Sequence, residues 1–83
     1  MLQVFWTGFS KDGNSLFTVS NTAIRKWQAK ELELKISQEY TGFYRSKGYI
    51  SEDEEWVYTS GRMGVTRFSF EDLSPCGSAL QGE

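Results

Sequence analysis

The chain repeats itself at an offset of 41 residues, without a gap. Phe9-Ser10-Lys11-Asp12 falls on Ile50-Ser51-Glu52-Asp53, and Leu16-Phe17-Thr18 falls on Val57-Tyr58-Thr59. Ile24, Lys26, Trp27, Glu31 and Leu32 fall on Val65, Arg67, Phe68, Asp72 and Leu73. Self-similarity at such a period marks supersecondary units that stack on one another and together bury a face that none can bury alone. Two copies fill most of the 83 residues. A chain built this way is expected to assemble or to bind a partner rather than to act as a self-contained enzyme.

Each copy reads as strands. Val4 to Phe9 is a short apolar and aromatic run, and Asp12-Gly13 behind it is a strong hairpin signal. Ser15 to Ser20 carries β-favouring bulk on both faces through Leu16, Phe17 and Val19, so cover on both sides is expected. After the small polar turn Ser20-Asn21-Thr22, Ala23 to Gln28 is a third strand with Ile24 and Trp27. Leu32, Leu34 and Ile36 alternate with Glu33, Lys35 and Ser37, which predicts a fourth strand with one buried face. A helix over residues 23–39 competes on propensity. It places Lys30 and Glu31 at the third and fourth positions after Trp27, where apolar residues belong.

The second copy begins near Tyr40. Phe43 to Ile50 leads to the acidic turn Ser51-Glu52-Asp53-Glu54, then to a strand at Trp56-Val57-Tyr58-Thr59. Gly61-Arg62-Met63-Gly64 is a turn and Val65 to Phe70 a further strand. Pro75 and Gly77 stand where the first copy has Leu34 and Ile36. The expected layout is therefore a first repeat at 4–39, a second at 40–73, and 74–83 as a tail or an edge strand formed with a partner's help.

These units resemble the blades of the WD-repeat type of β-propeller, over roughly residues 4 to 73. The family pattern of an apolar residue before Ser-Pro-Asp-Gly matches Phe9-Ser10-Lys11-Asp12-Gly13, and its Ile-x-x-Trp-Asp strand matches Ile24-Arg25-Lys26-Trp27-Gln28. The second copy has Ile50-Ser51-Glu52-Asp53-Glu54 and Val65-Thr66-Arg67-Phe68-Ser69 there. The Asp after the Trp is replaced by Gln28 and Ser69, and with no histidine in the chain the family's His–Asp network cannot form. The resemblance implies an all-β fold of two four-stranded blades and an interaction scaffold without catalysis.

Propellers close with about four to eight blades, so two blades leave both outer faces open. The expected outcomes are a homo-oligomer of about three or four chains, or a piece that completes a larger, composite propeller. Trp6, with Phe5 beside it, is the candidate partner contact because it neighbours an open end. Protein or peptide is the expected ligand class. A small β-barrel that recognises single-stranded nucleic acid or a peptide through aromatic strands is the alternative, carried by Arg25-Lys26-Trp27, Tyr44-Arg45-Ser46-Lys47 and Arg67-Phe68. The net charge of −2 does not favour nucleic acid. Lys26 and Arg67 are repeat equivalents, expected at the same solvent-facing spot of each blade.

Other chemistry finds little footing. Glu52 to Glu55 lacks the glycine and the alternating oxygens of a calcium loop and reads as a solvated turn. Trp6, Trp27 and Trp56 read as packing between blades rather than as a ligand cage. Gly42, Gly48, Gly61 and Gly64 lack the lysine and serine of a phosphate loop. Cys76 is the only cysteine, so no internal disulfide forms, and it has no histidine to activate it. No enzymatic activity, metal or cofactor is expected. No apolar run reaches membrane-span length and Met1 to Trp6 has no signal-like character, so a cytoplasmic setting is the default expectation.

Overall fold

The computed structural model describes residues 3–39, 46–61 and 64–78. Its regular elements are all strands: β1 (Val4–Phe9), β2 (Ser15–Ser20), β3 (Ala23–Gln28), β4 (Glu33–Glu39), β5 (Lys47–Ile50), β6 (Trp56–Gly61), β7 (Gly64–Ser69) and β8 (Pro75–Ser78). They form two antiparallel sheets in chain order, β1-β2-β3-β4 and β5-β6-β7-β8. Residues 23–39 are β3, a turn and β4, so the helical alternative fails. Expectations for Tyr40 to Arg45, Arg62, Met63 and residues 79–83 lie outside the described residues.

The two hairpin turns that fall at the same offset are built from the same hydrogen bonds. Ser10 Oγ donates to Asp12 Oδ1 at 2.6 Å, the Asn14 amide donates to the same oxygen, and the Ser15 amide donates to Ser10 Oγ. In the second repeat, Ser51 Oγ donates to Asp53 Oδ1 at 2.7 Å, and the amides of Glu55 and Trp56 donate to Asp53 and Ser51 in the same way. Left-handed residues recur at the same offset: Gly13 (φ 78°) with Glu54 (φ 58°), and Leu32 (φ 53°) with Leu73 (φ 60°). A short polar side chain folded back on its own backbone makes such a turn from local sequence alone.

One expectation needs correction. The alternation of Leu32, Leu34 and Ile36 does not put all three on one face. Leu32 sits in the turn before β4, and a register shift between Lys26 and Trp27 pairs Leu34 with Trp27 but Ile36 with Lys26. One extra residue between the pairs sends Leu34 and Ile36 to opposite faces. Within the stretch 74–83, expected as a tail or a partner-dependent edge strand, Pro75–Ser78 forms the edge strand β8, paired with β7 through Phe68 with Pro75 and Thr66 with Ser78. Pro75 is tolerated because it is the first residue of an edge strand, where no ladder donor is required.

The sheets stack face to face over one core of Phe17, Val19, Ile24, Val57, Phe68 and Leu73, with Trp6, Ile36, Ile50 and Phe70 packed around it. The first strands of the two sheets, β1 and β5, make the closest backbone approach between them. Glycines permit it. A Cβ on Gly8 or Gly48 would collide with the Trp6 ring, so the indole lies flat against bare backbone on both strands.

Candidate functional site

Strand register sorts each sheet into two faces. In the first sheet, Gly8, Phe17, Lys26 and Ile36 stand in one row, and Trp6, Val19, Ile24 and Gln38 in another on the same side. We call this the p-face; its Phe17, Val19 and Ile24 are buried. The opposite q-face carries Phe9, Leu16, Trp27 and Leu34 in one row, and Thr7, Thr18, Arg25 and Ser37 in the other. In the second sheet the equivalent p-face positions are Tyr49, Tyr58 and Arg67 in a row, and the q-face positions are Ile50, Val57, Phe68 and Pro75.

The first sheet presents its p-face to the q-face of the second. Phe17 meets Phe70 with ring centroids 5.0 Å apart. Lys26 reaches across, and its Nζ donates to the Phe70 carbonyl at 2.8 Å and the Glu71 carbonyl at 3.2 Å. The same ammonium lies over the Phe17 and Phe70 rings, 5.5 and 4.7 Å from their centroids. Burial pulls the Lys26 pKa below the ordinary lysine range, opposed by the carboxylates of Glu71 and Asp72. At the hairpin tips the Lys11 amide donates to Glu54 Oε2 at 2.6 Å, and Lys11 Nζ donates to the Glu52 carbonyl and pairs with its carboxylate at 3.3 Å. Lys11 and Glu52 are themselves repeat equivalents. The junction is thus heterologous: unlike faces meet, and each position touches a differently placed one on its neighbour.

Two faces are left uncovered by the described residues. The q-face of the first sheet exposes Phe9 and Leu34 and half-exposes Leu16 and Trp27, with Leu32 at its turn. Trp27 keeps its polar end satisfied, its Nε1–H donating to Thr18 Oγ1 at 3.0 Å. The p-face of the second sheet exposes Tyr49 and half-exposes Trp56 and Tyr58. Arg67 stacks on Trp56, its guanidinium carbon 4.1 Å from the ring centroid.

The sequence-derived candidates distribute unevenly over these surfaces. Trp6 is half-buried at the internal junction, against Gly8 and Gly48. Phe5 is half-buried on the same strand, beside the irregularity between Val4 and Trp6. Trp6, Trp27 and Trp56 stand on three different sheet faces and form no cage. Lys26 corrects the expectation of a solvent-facing spot: its position faces the neighbouring sheet, because the p-face of the first repeat is the covered one. Glu52 to Glu55 form the tip beside Lys11, and Asp53 is held below the usual carboxylate range first by Ser51 Oγ–H and then by the Glu55 amide.

Sequence reasoning did not single out Leu16, Leu32, Leu34, Tyr49 and Tyr58 as an interaction surface. The offset alignment could have found them, by asking which copy of each apolar position has no neighbour to cover it. An open groove of about 480 Å³ at the loop end is lined by Lys26, Glu54, Glu55, Trp56, Ser69, Phe70 and Glu71. No helix among the described residues is long and apolar enough to cross a membrane. Comparison with family models, curated proteins and solved structures finds no match.

Proposed function

We propose that the chain is a non-enzymatic β-propeller module that self-assembles, or completes a larger propeller, and serves as a protein-interaction scaffold. The observation that carries this reading is the heterologous stacking of two equivalent sheets, p-face on q-face. Such a stack repeats indefinitely in principle, and it stops without open faces only when it closes into a ring. Two separate sheets, rather than one continuous strand ladder, favour blades over a small barrel. The half-buried Lys26, turned into the junction, also weakens a nucleic-acid reading that needs basic groups along accessible aromatic strands.

The first test is particle mass by light scattering at micromolar concentration, joined to negative-stain imaging. The expected result is a discrete particle of about three or four 9.5 kDa chains, seen as a disc with radial divisions. A cooperative monomer that binds no apolar dye would sink the proposal, because its two faces would then need no cover.

A further inference from the structure

We infer that the open q-face of the first sheet receives the open p-face of the second sheet of another copy of this chain, docked head to tail. The inference rests on the propeller reading above and names its mating surfaces.

The two faces left open are the complementary pair, one p and one q, not two of a kind. The internal junction shows what each kind of face does when mated. At the q-positions of the second repeat, Val57, Phe68 and Leu73 are fully buried beneath the first sheet. Their counterparts Leu16, Trp27 and Leu32 keep the same apolar character, but Leu16 and Trp27 are only half-buried and Leu32 is exposed. At the p-positions, Phe17 and Lys26 supply a ring and a cation to the internal junction. Their counterparts Tyr58 and Arg67 supply a ring and a cation on the open face.

Backbone conformation adds a second argument. Leu32 holds a left-handed φ of 53° while 65% exposed. A bulky side chain in that region is strained, and in the second repeat the same conformation accompanies complete burial of Leu73. Leu32 has the shape of a covered residue without the cover.

Charge also matches at the tip. Internally the p-side tip is Lys11 and the q-side tip is Glu52. Between copies the roles exchange, so Glu52 of one chain meets Lys11 of the next. Both junctions join opposite charges, whereas a contact of like faces would set lysine against lysine or glutamate against glutamate. A surface matched to another protein's blades would have no reason to reproduce this pairing of the chain's own repeats.

The test uses two variants that each block one face. Phe9 is 61% exposed on the open q-face and Tyr49 is 62% exposed on the open p-face, so a charge at either should leave the single chain folded. Phe9→Glu alone and Tyr49→Glu alone should each run as monomers, with assembly weakened at least about tenfold, while the wild type forms a closed particle. Mixed in equal amounts they should form a one-to-one dimer and stop there, because the pair retains one intact q-face and one intact p-face. Circular dichroism and thermal melts check folding, and Leu32→Asn, which suits a left-handed φ, is the second q-face variant should Phe9→Glu misfold.

Variants that assemble like the wild type would overturn the seam while leaving an assembling module. A folded mixture that stays monomeric would overturn the head-to-tail pairing. A wild type that is monomeric yet binds apolar dye would overturn the second copy as occupant, leaving the composite propeller; a dye-silent monomer would sink both.

Discussion

Leu32 and Leu73 occupy the same place in their repeats and share a left-handed backbone, at φ 53° and 60°. One is 65% exposed and the other is not exposed at all. A smaller contrast in the same direction holds for half-buried Leu16 against buried Val57 and for half-buried Trp27 against buried Phe68. Local sequence sets the turn, the strand and the direction of the side chain, and it does so alike in both copies. Whether that side chain is buried depends on whether a neighbouring sheet lies over it. The second sheet buries Val57, Phe68 and Leu73 on its q-face, whereas the first leaves Phe9, Leu32 and Leu34 exposed there. The difference between them measures what one junction contributes.

The largest effect that can break this comparison comes from making one substitution at both places. Glycine relieves the left-handed conformation, which costs a bulky residue about 1–2 kcal/mol. It also adds unfolded-state entropy worth about 0.5–1 kcal/mol. At Leu32 little else is lost, so Leu32→Gly should change the stability of the dissociated chain by less than about 1 kcal/mol. At Leu73 a buried side chain is deleted from the core, a loss of about 2–5 kcal/mol. Leu73→Gly should therefore destabilise by about 2–3 kcal/mol after the relief is counted. Chemical denaturation at low concentration measures both. Equal effects would mean that the two leucines do not differ in cover, and the comparison would fall. At concentrations where copies assemble, Leu32→Gly should begin to cost stability as well.

A smaller effect sharpens the role of Trp6. Its ring packs on Gly8 and Gly48, one glycine from each sheet, and a Cβ on Gly48 would meet the ring rather than a mobile side-chain end. Gly48→Ala should cost about 1–3 kcal/mol by overpacking. The counterpart of Gly48 is Thr7, exposed on the open q-face, where Thr7→Val should stay within about 0.5 kcal/mol. Combining Gly48→Ala with Trp6→Ala should return part of the loss, since the pair shares one contact. Additive losses in that double-mutant cycle would separate Trp6 from the junction.

Much of this architecture is readable in the sequence, for reasons that name themselves. Asp12-Gly13 and Ser51-x-Asp53 make turns from short-range hydrogen bonds, so the facing ends of β1 and β2, and of β5 and β6, are readable beside them. Glu54 in a left-handed conformation is legible only through its alignment with Gly13, because glutamate carries no such preference of its own. The register shift beside Trp27 is not legible: period-two alternation looks the same with or without an extra residue, and only pairing with β3 reveals it. Strand β8 was obscured by Pro75, whose cost vanishes at an edge. The faces of the site were the least legible part. The p and q positions are plain in the alignment, but which pair is covered depends on which sheet faces which, and that is a tertiary choice. Lys26 faces the neighbouring sheet for this reason, and Trp6, a candidate partner contact by its nearness to an end, packs half-buried at the internal junction.

The smallest predicted effect lies at the hairpin tips, where the repeats are nearly symmetric. Asp12 is held below the ordinary carboxylate range by the Ser10 hydroxyl first and the Asn14 amide next. Asp53 is held down in the same way by Ser51 and Glu55, with a further downward pull from the Lys11 charge. Both groups have folded pKa values below their unfolded ones. Their contribution is therefore complete above the unfolded carboxylate pKa near 4 and is lost as pH falls through the folded values. Nothing changes near neutrality. Melting temperature should fall on acidification below about pH 4, and Asp12→Asn or Asp53→Asn, which keep the acceptor oxygen but not the titration, should each flatten that limb. The Lys11 charge gives a sharper test. Carbon-detected NMR titration should show that Lys11→Met moves Asp53 upward, since the Lys11 charge is one of the causes that hold it down. If Asp53 does not move, the Lys11 charge does not reach it across the junction.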